Sequence, residues 1–202
     1  MSQFVLMTAR FGAYGKFPAL GDFLRLGVPR AVADPLDTWL QTALSDGRRI
    51  LGDGWDAAYM GAPIWRFALS AGLAGPAPVI GVLMPSVDRV GRQFPLVLLA
   101  QLPQGADAAA ALSACAPDLL QAEEVALAAL DLQASRETLA AGLDALGGGC
   151  DVPAAAVPGR GSWWVTGTEE VIAAPQGWPG PALSARLFGA SGAVAPAAAV
   201  GP

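Results

Sequence analysis

Residues Val79–Ala100 read VIGVLMPSVDRVGRQFPLVLLA, and how this stretch is understood decides the fold. Val79–Met84 and Leu96–Ala100 are apolar without a break, as suits central strands covered on both faces. Between them stand Asp88, Arg89 and Arg92, in a chain that is only 14% charged. The usual charged share is about 25%. If the two runs are neighbouring strands, Pro85–Pro95 is their connection. That is long against the roughly 2–5 residues of an ordinary hairpin loop. Loops longer than a fold needs often carry function.

Outward from this stretch the pattern alternates between strands and helices. Towards the N-terminus, glycines at 12, 15, 21 and 27 and prolines at 18 and 29 predict short strands divided by turns, with AYGKF and DFLRL as candidates. Asp34 is a good N-cap and Pro35 suits a first helical position, so a helix is predicted from there. Leu36, Trp39, Leu40, Ala43 and Ile50 fall on its apolar face, and Gly47 and Gly52 are expected to bend or end it. A short helix is predicted over 54–60 and a strand over Pro63–Ser70.

Beyond the second apolar run, Asp107–Leu146 reads as helical, broken at Pro117. The last of these helices starts at Ser135 and stops at Gly147–Gly149. The middle one is apolar nearly all round and is expected to be covered. Residues 150–160 read as a Pro/Ala/Gly linker, Ser162–Thr166 and Glu170–Ala173 as a late hairpin, and Pro181–Phe188 as a helix. Of Trp163 and Trp164, one is expected buried and the other at an edge, because successive strand residues face opposite sides. Trp39, Trp55 and Trp65 are expected in the core. The fold class is therefore α/β: a mixed, partly antiparallel central sheet with helices on both faces. Residues 1–188 are read as one domain. Residues 189–202, rich in Ala, Gly and Pro, are read as a flexible tail.

Charge excludes some functions. Residues 1–103 hold nine Lys/Arg against seven Asp/Glu, whereas 104–157 hold one Arg against eight acids. The net charge of −5 comes from this acidic middle, and no basic stripe for nucleic acid exists. The longest apolar run is far short of the roughly 20 residues of a membrane-spanning helix. No signal-peptide pattern opens the chain. Cys115 and Cys150 lack metal-ligand spacing and are read as reduced thiols of a cytoplasmic protein.

Histidine is absent, which removes the commonest general base and the commonest metal ligand. Neither cysteine has a candidate base, so no nucleophile–base pair is visible. GAYGKFPALGD lacks the spacing of a phosphate-binding loop, and Phe17 stands where Ser or Thr should follow Lys16. Neither cofactor nor metal is predicted. Two readings of the Asp88 loop stand side by side. In one, Asp88 pairs with an arginine and caps backbone groups to hold the loop's shape. In the other, a rigid loop presents guanidinium groups to an acidic or phosphorylated partner.

The succession GAYGKFPALGDF, DPLDTWLQ, APIWRFALSAG, GVLMPSVDRVGRQFPL and SWWVTG resembles the TagF family of type VI secretion-associated proteins. The resemblance is close over residues 12–102 and looser at 162–167 and in GWPGPALSARLF. It implies an α/β sandwich and a cytoplasmic accessory protein that represses secretion post-translationally through the forkhead-associated scaffold protein Fha. It implies no catalytic residues. The expected partner-binding residues are Lys16, Asp22, Arg66, Asp88, Arg89 and Arg92. A rival expectation is a phosphate-sensing or catalytic cleft built from Lys16, Asp22, Arg89 and Arg92. A third is a structural subunit of the secretion assembly.

Overall fold

The two apolar runs do pair, with Val79 opposite Gln101 and Met84 opposite Leu96 in an antiparallel ladder. The structure is a computed structural model that describes residues 4–7, 10–131, 133–146, 150–155, 161–166 and 171–189. Its strands are β1 Phe4–Met7, β2 Gly12–Gly15, β3 Leu24–Leu26, β4 Trp65–Leu69, β5 Val79–Met84, β6 Leu96–Gln101, β7 Cys150–Pro153, β8 Ser162–Val165 and β9 Val171–Ala174. Its helices are α1 Arg30–Leu51, α2 Trp55–Met60, α3 Ala108–Ala114, α4 Ala116–Ala128, α5 Arg136–Ala145 and α6 Pro181–Leu187. The main sheet runs β3-β2-β6-β5-β4-β8-β9, and β1 pairs with β7 apart from it. Every described pairing is antiparallel, which extends the partly antiparallel sheet expected.

The pleat divides the core in two. Ala68, Ile80, Val82, Met84, Leu96 and Leu98 face α3, α4 and α5, where they meet Ala111, Leu119, Ala122, Ala126 and Leu139. Trp65, Phe67, Val79, Leu83, Val97 and Leu99 face α1, α2 and α6, where they meet Leu36, Trp39, Leu40, Tyr59, Leu187 and Phe188. Alternate residues of one strand therefore feed two cores, which is why β5 and β6 need apolar residues at nearly every position. The α/β sandwich with helices on both faces is the architecture observed.

Some local expectations are corrected. α1 begins at Arg30, a turn before Asp34, and Pro35 lies inside it. Val32 and Ala33 are buried in the second core, and their burial holds the extra turn despite the N–H that proline lacks. α1 runs on through Gly47, where a Cβ would overlap the Trp55 ring, and ends at Gly52. Part of the supposed linker, Cys150–Pro153, is strand β7, paired with β1 at the N-terminus, where no strand was expected. Cys115 and Cys150 are joined as a disulfide, not free thiols.

Other expectations hold. Ser135 opens α5 with a reciprocal capping box to Thr138. Trp164 is fully buried while Trp163 is half-buried, and Trp39, Trp55 and Trp65 are core. One expectation here fails: α4, expected to be covered nearly all round, is covered on one side only, with Leu120 and Leu127 exposed. The tail expected to be flexible lies, beyond Gly189, outside the described residues.

Candidate functional site

The β5–β6 connection is folded around one carboxylate. A bridge between Val87 and Gln93 prolongs the strand ladder, and Phe94 N–H donates to the Ser86 carbonyl at 3.1 Å. At the tip, Asp88 N–H donates to the Arg92 carbonyl (3.1 Å) and Gly91 N–H to the Asp88 carbonyl (2.8 Å). Gly91 takes φ +83°, a conformation that side chains disfavour, so the tight turn needs glycine.

The Asp88 side chain is fully enclosed. Its Oδ1 accepts from the Val90 N–H (3.1 Å) and the Arg92 N–H (2.9 Å). Its Oδ2 takes the Arg92 Nε at 2.6 Å and the Lys16 ammonium at 3.0 Å. Burial alone would push this carboxyl up. The Arg92 amide, the Lys16 and Arg92 side chains and the Val90 amide together outweigh it and hold Asp88 far below the usual carboxylate range.

The loop is also tied to the β2–β3 segment. Arg92 Nη2 donates to the Gly21 carbonyl at 2.7 Å, and Arg89 N–H donates to the Leu20 carbonyl at 2.9 Å. Gly15, at φ +123°, brings β2 against the Pro95 carbonyl and so aims the next residue, Lys16, at Asp88. The Lys16 ammonium also lies 5.2 Å from the Phe23 ring centroid, a cation–π contact. Phe23 in turn meets Phe94 edge-to-face at 4.8 Å.

Five of the six predicted site residues therefore share one neighbourhood, in unequal roles. Asp88, Lys16 and Arg92 are turned towards one another. The Asp22 carboxylate accepts from the Phe23 N–H at 2.7 Å and stays at the surface. Arg89 is exposed and lies over Gly21, and among the described residues its guanidinium has no ion pair or hydrogen bond. Beside it Val90 is 70% exposed and Phe23 46%. Arg66 lies elsewhere, on β4, where it grips Glu123 of α4 through bonds of 2.7 and 2.8 Å.

Sequence reasoning missed the supports of this loop. The Tyr59 hydroxyl donates to the Ser86 carbonyl (2.9 Å) and accepts from the Ser86 N–H (3.1 Å). Burial, foremost, pushes Tyr59 well above the ordinary tyrosine range, so it stays protonated and keeps its donor. Trp55 Nε1 donates to Gln93 Oε1 at 2.5 Å, and Gln93 Nε2 donates to Asp56 at 3.0 Å. The only signal in the sequence was α2 itself, predicted but given no task.

The described residues assemble one set of potential metal ligands, Cys115, Asp118 and Cys150, whose donor atoms lie within 4.8 Å of one another. Its two sulfurs are bonded to each other, which leaves no thiolate for a metal. A cavity of about 530 Å³ lies away from the Asp88 loop, walled by Pro76, Pro78, Gln104, Asp107 and Trp163 among others. No helix among the described residues is long and apolar enough to cross a membrane.

A family model described as the TagF N-terminal domain, type VI secretion system-associated, matches residues 12–146. That range runs from β2 to the end of α5 and contains the whole Asp88 loop. Three solved chains match this one. One of them is the crystal structure of PA0076 from Pseudomonas aeruginosa PAO1, 29% identical, with a TM-score of 0.81. The match covers 95% of this chain and 100% of that one. No curated protein matches.

Proposed function

Because the chain belongs to the family of TagF N-terminal domains associated with type VI secretion, we propose that it is a non-enzymatic, post-translational repressor of that system, working in the cytoplasm by binding the scaffold protein Fha. Membership gives the accessory role in type VI secretion. The repression, the partner and the compartment are the reading advanced here, and so is the treatment of residues 1–188 as one folding unit.

One observation supports binding over chemistry. The loop's internal charges are spent on its own architecture, while Arg89 stands outside with Val90 and Phe23. An exposed, unpaired guanidinium beside apolar residues suits recognition of an acidic or phosphorylated surface. A cleft using Lys16, Asp22, Arg89 and Arg92 would need those groups to converge on open space. Lys16 and Arg92 converge on Asp88 instead.

The test is retention of purified Fha on the immobilised protein, comparing wild type with Arg89→Ala and Arg89→Glu. Both variants should melt with wild type, since a surface substitution shifts stability by only about 0.5 kcal/mol. Retention is expected to fall with Ala and further with Glu. Equal retention by all three removes Arg89 from the contact surface. No retention by wild type removes Fha as the partner.

A further inference from the structure

α4 is held firmly on its inner side and bare on its outer side. Leu119, Ala122 and Ala126 are buried, and the bidentate pair of Glu123 with Arg66 ties the helix to the sheet. Outward point Leu120 (51% exposed) and Leu127 (52%), seven residues apart and so on one helical face, followed by Leu130 (44%). They are three of the seven large hydrophobic residues exposed among the described residues, gathered in eleven positions. Glu124 lies between Leu120 and Leu127 and is exposed. Next to Leu127, Ala128 walls a hollow of about 110 Å³ that α4 shares with Thr138, Leu139 and Gly142 of α5.

The charges on the stripe itself are acidic: Glu124 and, just past the helix, Asp131 are exposed, in a stretch (104–157) that holds one basic residue, the exposed Arg136, against eight acids. We propose that the outer face of α4 docks a basic amphipathic helix of another protein, with leucine-type residues on the stripe and hollow and Lys or Arg opposite the acidic rim. A bare leucine stripe rimmed by charge is the form of a helix-docking surface. The charge selects the occupant. A second copy of this chain would set acids against acids, and an anionic membrane would repel the rim.

The proposal uses none of the residues of the Asp88 loop, so it stands or falls apart from Fha binding there. It is tested by fluorescence anisotropy with the full chain and a labelled Leu/Lys amphipathic peptide of about 18 residues, roughly five helical turns. A peptide with Glu in place of every Lys is the control. An acidic protein attracts any polycation, so the deciding variant is Leu120→Ser/Leu127→Ser, which keeps the charge. The Lys peptide is expected to bind saturably, and the double variant to bind it roughly tenfold more weakly with its melting temperature unchanged. Glu124→Lys should weaken binding as well, and Arg89→Ala should leave it as in wild type. Absence of saturable binding, equal binding of the Glu peptide, or indifference to the leucine pair overturns the proposal. So does sedimentation of the free chain as a dimer that the leucine pair abolishes, which would assign the stripe to a second copy.

Discussion

Four donors converge on the two oxygens of Asp88, and their effect can be read through pH. A folded pKa held below the unfolded value of about 3.9 contributes stability that is fully present above that value. It is lost as pH falls through the carboxylate range towards the depressed folded value. Asp88→Asn is therefore expected to melt well below wild type at pH 7. The gap should narrow steadily as melts are taken at lower pH, and a gap constant with pH would deny that the charge matters. Two neighbours separate satisfied from unsatisfied groups. Tyr59→Phe strands the buried Ser86 N–H and should cost about 1–3 kcal/mol in chemical denaturation. The Ser86 hydroxyl has no partner among the described residues, so Ser86→Ala should cost nothing measurable or stabilise slightly.

Among the elements, β5 shows what the apolar pattern revealed and what it hid. Its continuous hydrophobicity announced a strand covered twice, and the structure covers it twice. The glycine in its middle was silent. A Cβ at Gly81 would overlap the Leu98 carbonyl oxygen and lie 2.8 Å from Phe67 Cζ. Gly81 leaves room for the neighbouring strand's backbone and for the Phe67 ring. Gly81→Ala should cost about 1–3 kcal/mol, read as a lower denaturation midpoint at unchanged slope. α1 shows the limit of local rules: Asp34-Pro35 is a sound helix start, but the burial of Val32 and Ala33 placed the start earlier. The Asp88 loop was legible because three charges interrupt an apolar run. Its wiring was not, because Lys16, Gly21 and Tyr59 reach it from distant parts of the chain. Arg66 stands apart from that group, and its pairing with Glu123 was not legible because a charge within a strand gives no hint of which helix will cover it.

At the scale of the whole molecule, the disulfide fastens the α3–α4 junction to the small β1–β7 sheet. It could not be read from spacing, since Cys115 and Cys150 are separated by 35 positions and most of two helices. Closing a loop of that length contributes roughly 2–4 kcal/mol, so a reductant or Cys115→Ser/Cys150→Ser should lower the melting temperature measurably. A crosslink of this kind is rare among cytoplasmic proteins, which are kept reduced. Alkylating thiols in intact cells and counting those blocked tests the proposed compartment and the crosslink together. The outer strands of the main sheet carry a different consequence. β3 has three residues, with the exposed Arg25 at its centre. β9 has four and is followed by Pro175, which has no N–H to donate. Borders so short, charged or proline-stopped give a strand from another molecule little ladder to extend. The main sheet is therefore expected to resist joining edge to edge with other copies when the protein is concentrated.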